Sequence, residues 1–325
     1  MNILVTGGAG FIGSHLCERL VAQGHTVAAV DSFDPFYPAE IKRRNLSALR
    51  GSERFRLVEG DIRDGEAVGA ALSAAGFDRA DVLVHLAAST GVRPSIDSPL
   101  LYSQVNVDGT VAMLELARRT GIRRFVFGSS SSVYGNNPKV PFAETDSVDH
   151  PISPYAATKR AGELLCHSYH HLHGMAVVCL RFFTVYGPRQ RPDLAIHKFA
   201  RLIARGEPIP FYGDGTTERD YTSVDDILQG IDGAIEYTGA HPDAFEIVNL
   251  GESQTVSLRR LVDLLAESLG VAPRVERLPL QPGDVDRTFA DIRKARELLG
   301  YSPSTRVEDG IPRFVRWFRE AAHPV

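Results

Sequence analysis

The chain has 325 residues, 43% of them hydrophobic and 23% charged, and its formal net charge is −4. This composition is typical of a soluble globular protein of about two domains. The small negative charge gives no electrostatic reason to expect nucleic acid or an anionic membrane as a partner, and no apolar run reaches membrane-spanning length.

The N-terminus predicts a dinucleotide site. An apolar strand over Asn2–Thr6 is followed by the pattern Gly7-x-x-Gly10-x-x-Gly13, which opens an amphipathic helix. Glycine permits a tight turn and lets the backbone approach a pyrophosphate at the helix N-terminus. A glycine-rich turn in an unrelated α/β protein is the alternative, and the strand that comes next weighs against it.

The second predicted strand, Thr26–Val30, ends at Asp31. An acid in this place accepts hydrogen bonds from the ribose hydroxyls of adenosine, and it repels the 2′-phosphate of NADP. We therefore expect NAD as the cofactor.

Strands and helices alternate through the first half. Further strands are predicted at 55–59, 81–85, 123–127 and 176–181, and helices near 39–49, 65–75, 97–119 and 155–172. Such alternation predicts an α/β fold with a Rossmann-type, doubly wound parallel sheet, in which ligands lie at the carboxyl ends of the strands. The residues predicted at those ends are Asp61, Ile62, Leu86, Ala87, Ala88, Ser129–Ser132 and Phe182–Val185.

Tyr155 and Lys159 are four residues apart at the start of the helix predicted for 155–172. This spacing places both side chains on one helix face. A tyrosine is a weak base, with an unperturbed pKa of about 10, but a nearby ammonium lowers that pKa. The pair is therefore a candidate for removing a proton from an alcohol near neutral pH. On spacing alone, two ordinary helix-surface residues are the alternative.

The pattern changes after residue 182, where proline and glycine become frequent and short strands mix with short helices. We predict a Rossmann domain over 1–181, to which a segment at about 225–250 returns as a helix and a strand. The remainder of 182–325 is predicted to be a smaller mixed α/β substrate domain, interleaved with the first.

Together, these motifs resemble the extended short-chain dehydrogenase/reductase family, and within it the nucleotide-sugar epimerases and dehydratases. The resemblance covers nearly the whole chain and includes Arg219–Asp226 and Gln281–Asp284 in the second half. It implies a Rossmann domain that binds NAD and a small C-terminal domain that holds a nucleoside diphosphate sugar. In this family the tyrosine removes a sugar hydroxyl proton while C4 passes hydride to NAD.

The resemblance assigns cofactor contacts to residues at the strand ends and on the catalytic helix. They are Gly7, Gly10, Phe11, Ile12, Gly13, Asp31, Asp61, Ile62, Leu86, Ala87, Ala88, Tyr155 and Lys159. NAD is expected to stay tightly bound through the cycle, since NADH must persist until the ketone has been reduced.

The family's catalytic serine or threonine lies 25 residues before the tyrosine in galactose epimerases, which indicates Ser130 here. Its neighbours in the run Ser129–Ser132 are also serines, so an assignment shifted by one residue stays open. Dehydratases of the family carry Asp-Glu after the catalytic residue, and UDP-glucuronate decarboxylases typically carry a glutamate just before Val-Tyr-Gly. Ser131 and Ser132 occupy these positions and cannot act as carboxyl acids or bases, which leaves 4-epimerisation.

The whole pattern is similar to the UDP-glucuronate 4-epimerases. Oxidising glucuronate at C4 produces a β-keto acid that readily loses CO₂. We hypothesise that the hydroxyls of Ser131, Ser132 and Thr184 hold the carboxylate out of the geometry that this loss requires. Arg93 is a further candidate contact for the carboxylate, with a surface arginine that caps a loop as the alternative.

For the nucleotide, the resemblance indicates Arg219 at the diphosphate, with Arg191 and Asp284 as weaker candidates for the diphosphate and uridine region. Galactose epimerases have an arginine where this chain has Gln281. One phosphate contact is therefore in doubt, and Arg191 is the candidate to replace it. A UDP-sugar is the expected substrate, although the sequence does not separate uracil from thymine.

Other features bear on compartment, metals and assembly. Cys17, Cys166 and Cys179 are widely spaced and odd in number, which predicts reduced, buried thiols in a cytoplasmic protein, and a first strand that begins at residue 2 leaves no room for a signal peptide. His167 and His171 have the spacing of some zinc helices, but zinc has no role in NAD-mediated epimerisation, so no metal is expected. The Tyr–Lys helix commonly packs in a dimer interface in this family, which implies a homodimer.

Three alternatives to UDP-glucuronate 4-epimerisation stay open. A 4-epimerase of neutral UDP-sugars, with glucose/galactose or N-acetyl substrates, would act on those and not on UDP-glucuronate. A UDP-glucuronate decarboxylase would release CO₂. A non-enzymatic NAD-binding regulator would often have lost the tyrosine or the lysine, whereas both are present here.

Overall fold

The protein is described by a computed structural model that covers residues 1–279 and 287–321. Its strands are β1 (Asn2–Thr6), β2 (Thr26–Asp31), β3 (Phe55–Glu59), β4 (Val82–His85), β5 (Arg124–Ser130), β6 (Ala176–Phe182), β7 (Thr184–Tyr186), β8 (Pro208–Tyr212), β9 (Glu218–Ser223), β10 (Phe245–Leu250), β11 (Thr255–Ser257) and β12 (Arg274–Leu278). Its helices are α1 (Phe11–Ala22), α2 (Ala39–Asn45), α3 (Gly65–Ala74), α4 (Val92–Asp97), α5 (Pro99–Ser103), α6 (Gly109–Thr120), α7 (Pro154–His173), α8 (Ala195–Ala204), α9 (Val224–Ala240), α10 (Leu258–Leu269), α11 (Arg293–Leu299) and α12 (Val307–Ala321).

The largest layer is a seven-stranded sheet in the order β10-β6-β5-β4-β1-β2-β3. All of its neighbouring strands pair in parallel, as where Ile3 lies opposite Val27 on one side and Val82 on the other. Parallel sheets are covered by helices on both faces, so their strands are apolar along their whole length. Four of the five residues of β1 are buried accordingly. The prediction of a Rossmann-type, doubly wound α/β fold is confirmed.

Helices cover both faces of this sheet. On one face, Ile3 and Val5 belong to the same core cluster as Leu16 of α1 and Ile231 of α9. On the other face, Leu4 belongs to a second cluster, which contains residues of α3 and α6. Because side chains alternate along a strand, one strand supplies both cores and fixes the three layers together.

A smaller part is built from short strands and helices of the second half. β7, β9 and β11 form a three-stranded sheet, and β8 pairs with β12. Helices α8, α10 and α12 enclose a third core around Phe199, Leu261 and Phe314. The segment that carries α9 and β10 returns to the large sheet, where β10 pairs with β6 in register from Phe245 to Leu250.

The single helix predicted near 97–119 is wrong, because the structure breaks it into several pieces. Pro99 begins α5, since its ring fixes φ and removes the N–H that would continue α4. A π-helical turn, Gln104–Asp108, then separates α5 from α6. Such turns insert one residue into a helix and are frequent at functional sites. Here the turn directs the buried Asn106 side chain inward.

Within residues 1–279 and 287–321, no helix combines the length and the apolar character that a membrane span requires. The three cysteines are buried free thiols, as predicted.

Candidate active site

The glycine turn after β1 leaves no room for a side chain at Gly7 or Gly13. Gly7 has a φ of +70°, which favours glycine, and a Cβ atom there would lie 2.8 Å from the backbone nitrogen of Ala87. A Cβ atom on Gly13 would lie 2.1 Å from the carbonyl oxygen of Gly7. The open backbone at the N-terminus of α1 is therefore the kind of cradle that fits a pyrophosphate.

Asp31 is the last residue of β2 and is hydrogen-bonded to the glycine turn. Its carboxylate accepts hydrogen bonds from the backbone nitrogens of Ala9 and Phe33, at 3.1 and 2.9 Å, and pairs with Lys42 at 3.1 Å. A carboxylate has about four acceptor positions, so these three contacts leave capacity for a ribose hydroxyl. The side chain is buried and already held in place before any ligand binds.

The other predicted cofactor residues lie at the same edge of the sheet. Asp61 follows β3 and binds the guanidinium of Arg63, which lowers the pKa of the carboxyl. Ile62 is buried against Gly109 of α6, where a Cβ atom would come within 2.7 Å of it. The segment Leu86–Ala88 follows β4, and its first two backbone nitrogens donate to Thr6 of β1 at 3.2 Å each.

The catalytic candidates meet where β5 ends and α7 begins. Ser153 caps α7 by accepting a hydrogen bond from the Ala156 nitrogen at 3.1 Å. Tyr155, in the first turn, is hydrogen-bonded to Ser130. Ser129, by contrast, donates to Glu163 at 2.7 Å. Of the serine run, Ser130 is therefore the candidate partner of the tyrosine hydroxyl. Its own hydroxyl also lies 3.1 Å from that of Ser132.

The electrostatics of this pair differ from the prediction. Burial raises the pKa of Tyr155, against smaller lowering effects from the hydrogen bond to Ser130 and from the charge of Arg191. The Lys159 ammonium donates to the Gly128 carbonyl oxygen at 2.6 Å, and burial lowers its pKa to about 8. The pKa of Tyr155 is thus raised rather than lowered overall, because desolvation outweighs the favourable contacts. The role of Lys159 in stabilising the phenolate stays a prediction.

A buried polar network below these residues was missed by the sequence analysis. Arg181 of β6 donates to both carboxylate oxygens of Glu163, at 2.8 and 2.9 Å, and to the Tyr134 hydroxyl at 2.9 Å. Tyr134 in turn donates to Asn249 of β10 at 2.7 Å. The network joins β10, β6, β5 and α7. In the sequence, the only indications of this network were two charged residues, Arg181 in an apolar strand pattern and Glu163 in a helical pattern.

Asn106 was also missed. Its amide exchanges two hydrogen bonds with the backbone of Ser89, at 2.8 and 2.9 Å, and donates to Thr158 of α7 at 3.0 Å. It therefore ties the loop after β4 to the helix that carries Tyr155. Nothing in the sequence signalled this role, since it depends on the π-helical turn.

A cavity of about 320 Å³ opens between the two parts of the molecule beside this centre. Its walls contain five of the predicted substrate residues: Arg93, Ser131, Ser132, Thr184 and Arg219. The other lining residues of the described chain are apolar, glycine, serine or threonine, so the walls carry two arginines and no carboxylate. Such a wall suits an anionic ligand.

Of the other predicted substrate residues that the structure describes, Ser130 and Arg191 do not line this cavity. Arg191 binds Asp193 through two hydrogen bonds, at 3.0 and 2.8 Å, and its guanidinium lies 5.5 Å from the centre of the Phe36 ring. Its charge nonetheless acts on Tyr155, so it lies near the catalytic centre. Asp284 and Gln281 lie outside the described residues.

Two of the α7 histidines, His167 and His170, contact neighbouring residues. The ring of His167 lies edge-on to Phe245 with centroids 4.9 Å apart, and His170 bonds to the Met175 carbonyl oxygen. In the part of the chain that the structure describes, no group of three His, Cys, Asp or Glu side chains is arranged to hold a metal ion.

Known proteins match the chain over nearly its whole length. Residues 4–314 match the profile of the family described as GDP-mannose 4,6 dehydratase. The chain belongs to this family. Over 319 residues it is 39% identical to the UDP-glucuronate 4-epimerase of Thermodesulfobacterium geofontis. The aligned region covers 98% of this chain and 96% of that protein. The resemblance to the extended short-chain dehydrogenase/reductases is confirmed.

Solved structures of family members have the same fold. The UDP-glucuronic acid 4-epimerase from Bacillus cereus, in complex with UDP-glucuronic acid and NAD, has a TM-score of 0.90 and 36% identity, and covers 99% of this chain and 100% of that one. The UDP-glucose 4-epimerase of Thermotoga maritima, with UDP-glucose, has a TM-score of 0.88 and 33% identity, with 99% of each chain covered.

Proposed function

We propose that this chain is an NAD-dependent isomerase that converts UDP-glucuronate to UDP-galacturonate by epimerisation at C4. The observation that carries the proposal is the cavity beside Tyr155, whose walls combine hydroxyl side chains with two arginines and contain no carboxylate among the described residues. Two protein features that the reaction needs, a base for a sugar hydroxyl and a pocket for a trianionic UDP-sugar acid, thus lie side by side.

The chain's own residues divide the work. Gly7, Gly10 and Gly13 leave room for the cofactor pyrophosphate, and Asp31 accepts from the ribose. Bound in this place, NAD would supply reversible hydride transfer at C4 of the sugar. Tyr155 accepts the proton of the 4-hydroxyl, and Ser130 positions that hydroxyl through its contact with the tyrosine.

Lys159 assists Tyr155 electrostatically. Its ammonium, fixed on the Gly128 carbonyl oxygen, adds positive charge to a buried centre and so favours the phenolate. Because burial raises the pKa of Tyr155, the phenolate requires that positive charge together with the hydrogen bond from Ser130.

The described part of the wall contains no carboxylate, and this feature selects among the reactions of the family. Loss of water or of CO₂ from the 4-keto sugar is assisted by carboxyl groups, and the positions that would supply them are Ser131 and Ser132. These two hydroxyls and that of Thr184 are donors for the C6 carboxylate, with Arg93 as a second contact. Arg219, which lines the same cavity, is proposed at the diphosphate, with Arg191 as a weaker candidate for the diphosphate and uridine region.

The test is an incubation of purified protein with UDP-glucuronate and no added NAD, followed by analysis of products. UDP-galacturonate is the expected product, and its formation without added cofactor would show that NAD copurifies. Tyr155→Phe, which keeps the ring but lacks the hydroxyl, is the matched control and is expected to be inactive. UDP-xylose or a 4-keto-pentose with CO₂ would contradict the proposal, and activity on UDP-glucose alone would favour a neutral-sugar 4-epimerase.

Three further expectations accompany this proposal. The chain divides at about 181/182 into a cofactor domain and a nucleotide-sugar domain, with the segment at 225–250 returning to the first. The protein works in the cytoplasm, where UDP-sugars are available. It forms a homodimer through α7, which exposes Leu164 and Leu172 on one stripe.

A further inference from the structure

The segment 187–193 between β7 and α8, which we call the strap, has an unusual backbone. Gly187 has a φ of +144°, and a Cβ atom there would lie 2.8 Å from Val224. Arg189 has a φ of +62° although it is not glycine. Backbone of this kind persists only where surrounding contacts hold it in place. The contacts that hold the strap therefore indicate its function.

The strap is attached to α1, the helix that begins at the glycine turn. The Arg189 guanidinium donates to both carboxylate oxygens of Glu18, at 2.8 and 2.9 Å. His15, one turn earlier on the same helix, donates from Nε2 to the Pro188 carbonyl oxygen at 2.9 Å. The side chains of Arg189 and Glu18 are only 20% and 26% exposed, so water screens the pair weakly.

The other end of the strap reaches the remaining parts of the cofactor site. Arg191 lies over Phe36, in the loop that follows Asp31. Its charge also acts on Tyr155. One short segment thus contacts the pyrophosphate helix and the loop after the ribose acid, and approaches the catalytic tyrosine. These are three separate regions of the proposed NAD site.

The middle of the strap is hydrogen-bonded to the second part of the molecule. The Gln190 amide donates to the Val185 carbonyl oxygen of β7 at 3.1 Å, and His197 of α8 donates to the Gln190 carbonyl oxygen at 2.6 Å. The strap is therefore continuous with the second part of the molecule. Any opening between that part and α1 must break the Arg189–Glu18 pair.

We infer that the strap keeps NAD(H) bound through the catalytic cycle, and that Arg189 and Glu18 are positioning residues that fasten it. The inference rests on the proposed function, in which the hydride removed from the sugar has to return to the same sugar. An epimerase that loses its reduced cofactor between the two half-reactions stalls with a 4-keto sugar. A fastening between the two parts of the molecule prevents this loss without touching the reacting atoms.

The experiment measures cofactor exchange in the holoenzyme with no sugar present. Wild type, Glu18→Gln and Arg189→Gln are isolated with their copurified NAD, and the rate at which labelled NAD replaces it is followed. We expect exchange to be about threefold to tenfold faster in both variants, as for the loss of one charge-assisted contact. The double exchange Glu18→Arg/Arg189→Glu is expected to restore part of the wild-type rate.

Arg19→Gln is the matched control. Arg19 lies on the same helix and forms an ion pair of the same kind with Asp232 of α9, away from the strap. It is expected to exchange NAD at the wild-type rate. Equal exchange in Arg19→Gln, Glu18→Gln and Arg189→Gln, with folding confirmed by circular dichroism, would overturn the inference. If the wild-type protein holds no NAD at all, the proposed function fails instead.

Discussion

Ser129 and Ser130 have the same side chain but different partners. Ser129 bonds to Glu163, whereas Ser130 bonds to Tyr155, two turns earlier on α7. The family spacing indicated Ser130, but the sequence left a shift of one residue open, since a hydroxyl carries the same chemistry at either position. The register between β5 and α7 decides which serine reaches the tyrosine, and that register depends on packing over the whole sheet.

The carboxylate hypothesis is tested most directly at Thr184. In Thr184→Val the shape of the side chain is kept while its hydroxyl is lost, so one donor to the substrate carboxylate disappears. A hydrogen bond to a charged group is worth about 1.5–3 kcal/mol. We therefore expect roughly a tenfold or greater rise in KM for UDP-glucuronate and a larger share of pentose product, measured by chromatography of the nucleotide sugars.

Thr184→Ser is the control for this substitution, because it retains the hydroxyl. It is expected to resemble the wild-type protein in both KM and product ratio. The hypothesis fails if Thr184→Val binds the acid as well as wild type and releases no additional pentose.

At the scale of elements, the sequence predicted the layers well and the local irregularities poorly. The strands β1 to β6 and the helix α7 could be predicted because the pattern of apolar residues in the sequence reflects which residues are buried. The π-helical turn at Gln104–Asp108 depends on the buried bonds of Asn106, which form only when α7 and the loop after β4 are in place. Five of the predicted substrate residues line one cavity, whereas Arg191, a candidate for the diphosphate and uridine region, lies apart from it.

The buried network fixes α7 on the sheet, which gives a testable effect on stability. Arg181 is 1% exposed and binds Glu163, so Glu163→Gln leaves a buried guanidinium without its counter-charge. Removal of one partner of a buried ion pair costs about 3 kcal/mol. We expect the free energy of unfolding to fall by about this amount in denaturant titrations followed by circular dichroism.

Glu115→Gln serves as the comparison, since Glu115 pairs with Arg118 on the exposed face of α6. Solvent replaces much of that interaction, so a clearly smaller loss is expected. Equal losses in the two variants would show that burial of the Glu163–Arg181 pair does not determine its contribution.

At the scale of the whole molecule, the apolar surface is unevenly distributed. Leu164 and Leu172 lie on one stripe of α7 and are 53% and 69% exposed, and Leu100 of the adjacent α5 is 78% exposed. Clustered large apolar side chains on a surface indicate an interaction site. A second copy of the chain is the partner we propose, because a two-fold interface uses each of these leucines twice.

This assembly predicts a particle of twice 35.6 kDa in solution, measured by size-exclusion chromatography with light scattering. Leu164→Glu places a charge in the centre of the proposed interface, where burial without a partner is costly, and is expected to yield monomers. Leu57→Glu is the control: Leu57 is 41% exposed on β3, an edge strand remote from α7 in the order of the sheet. Dimers that survive Leu164→Glu but dissociate in Leu57→Glu would place the interface at the β3 edge instead, and a monomeric wild-type protein would exclude the dimer altogether.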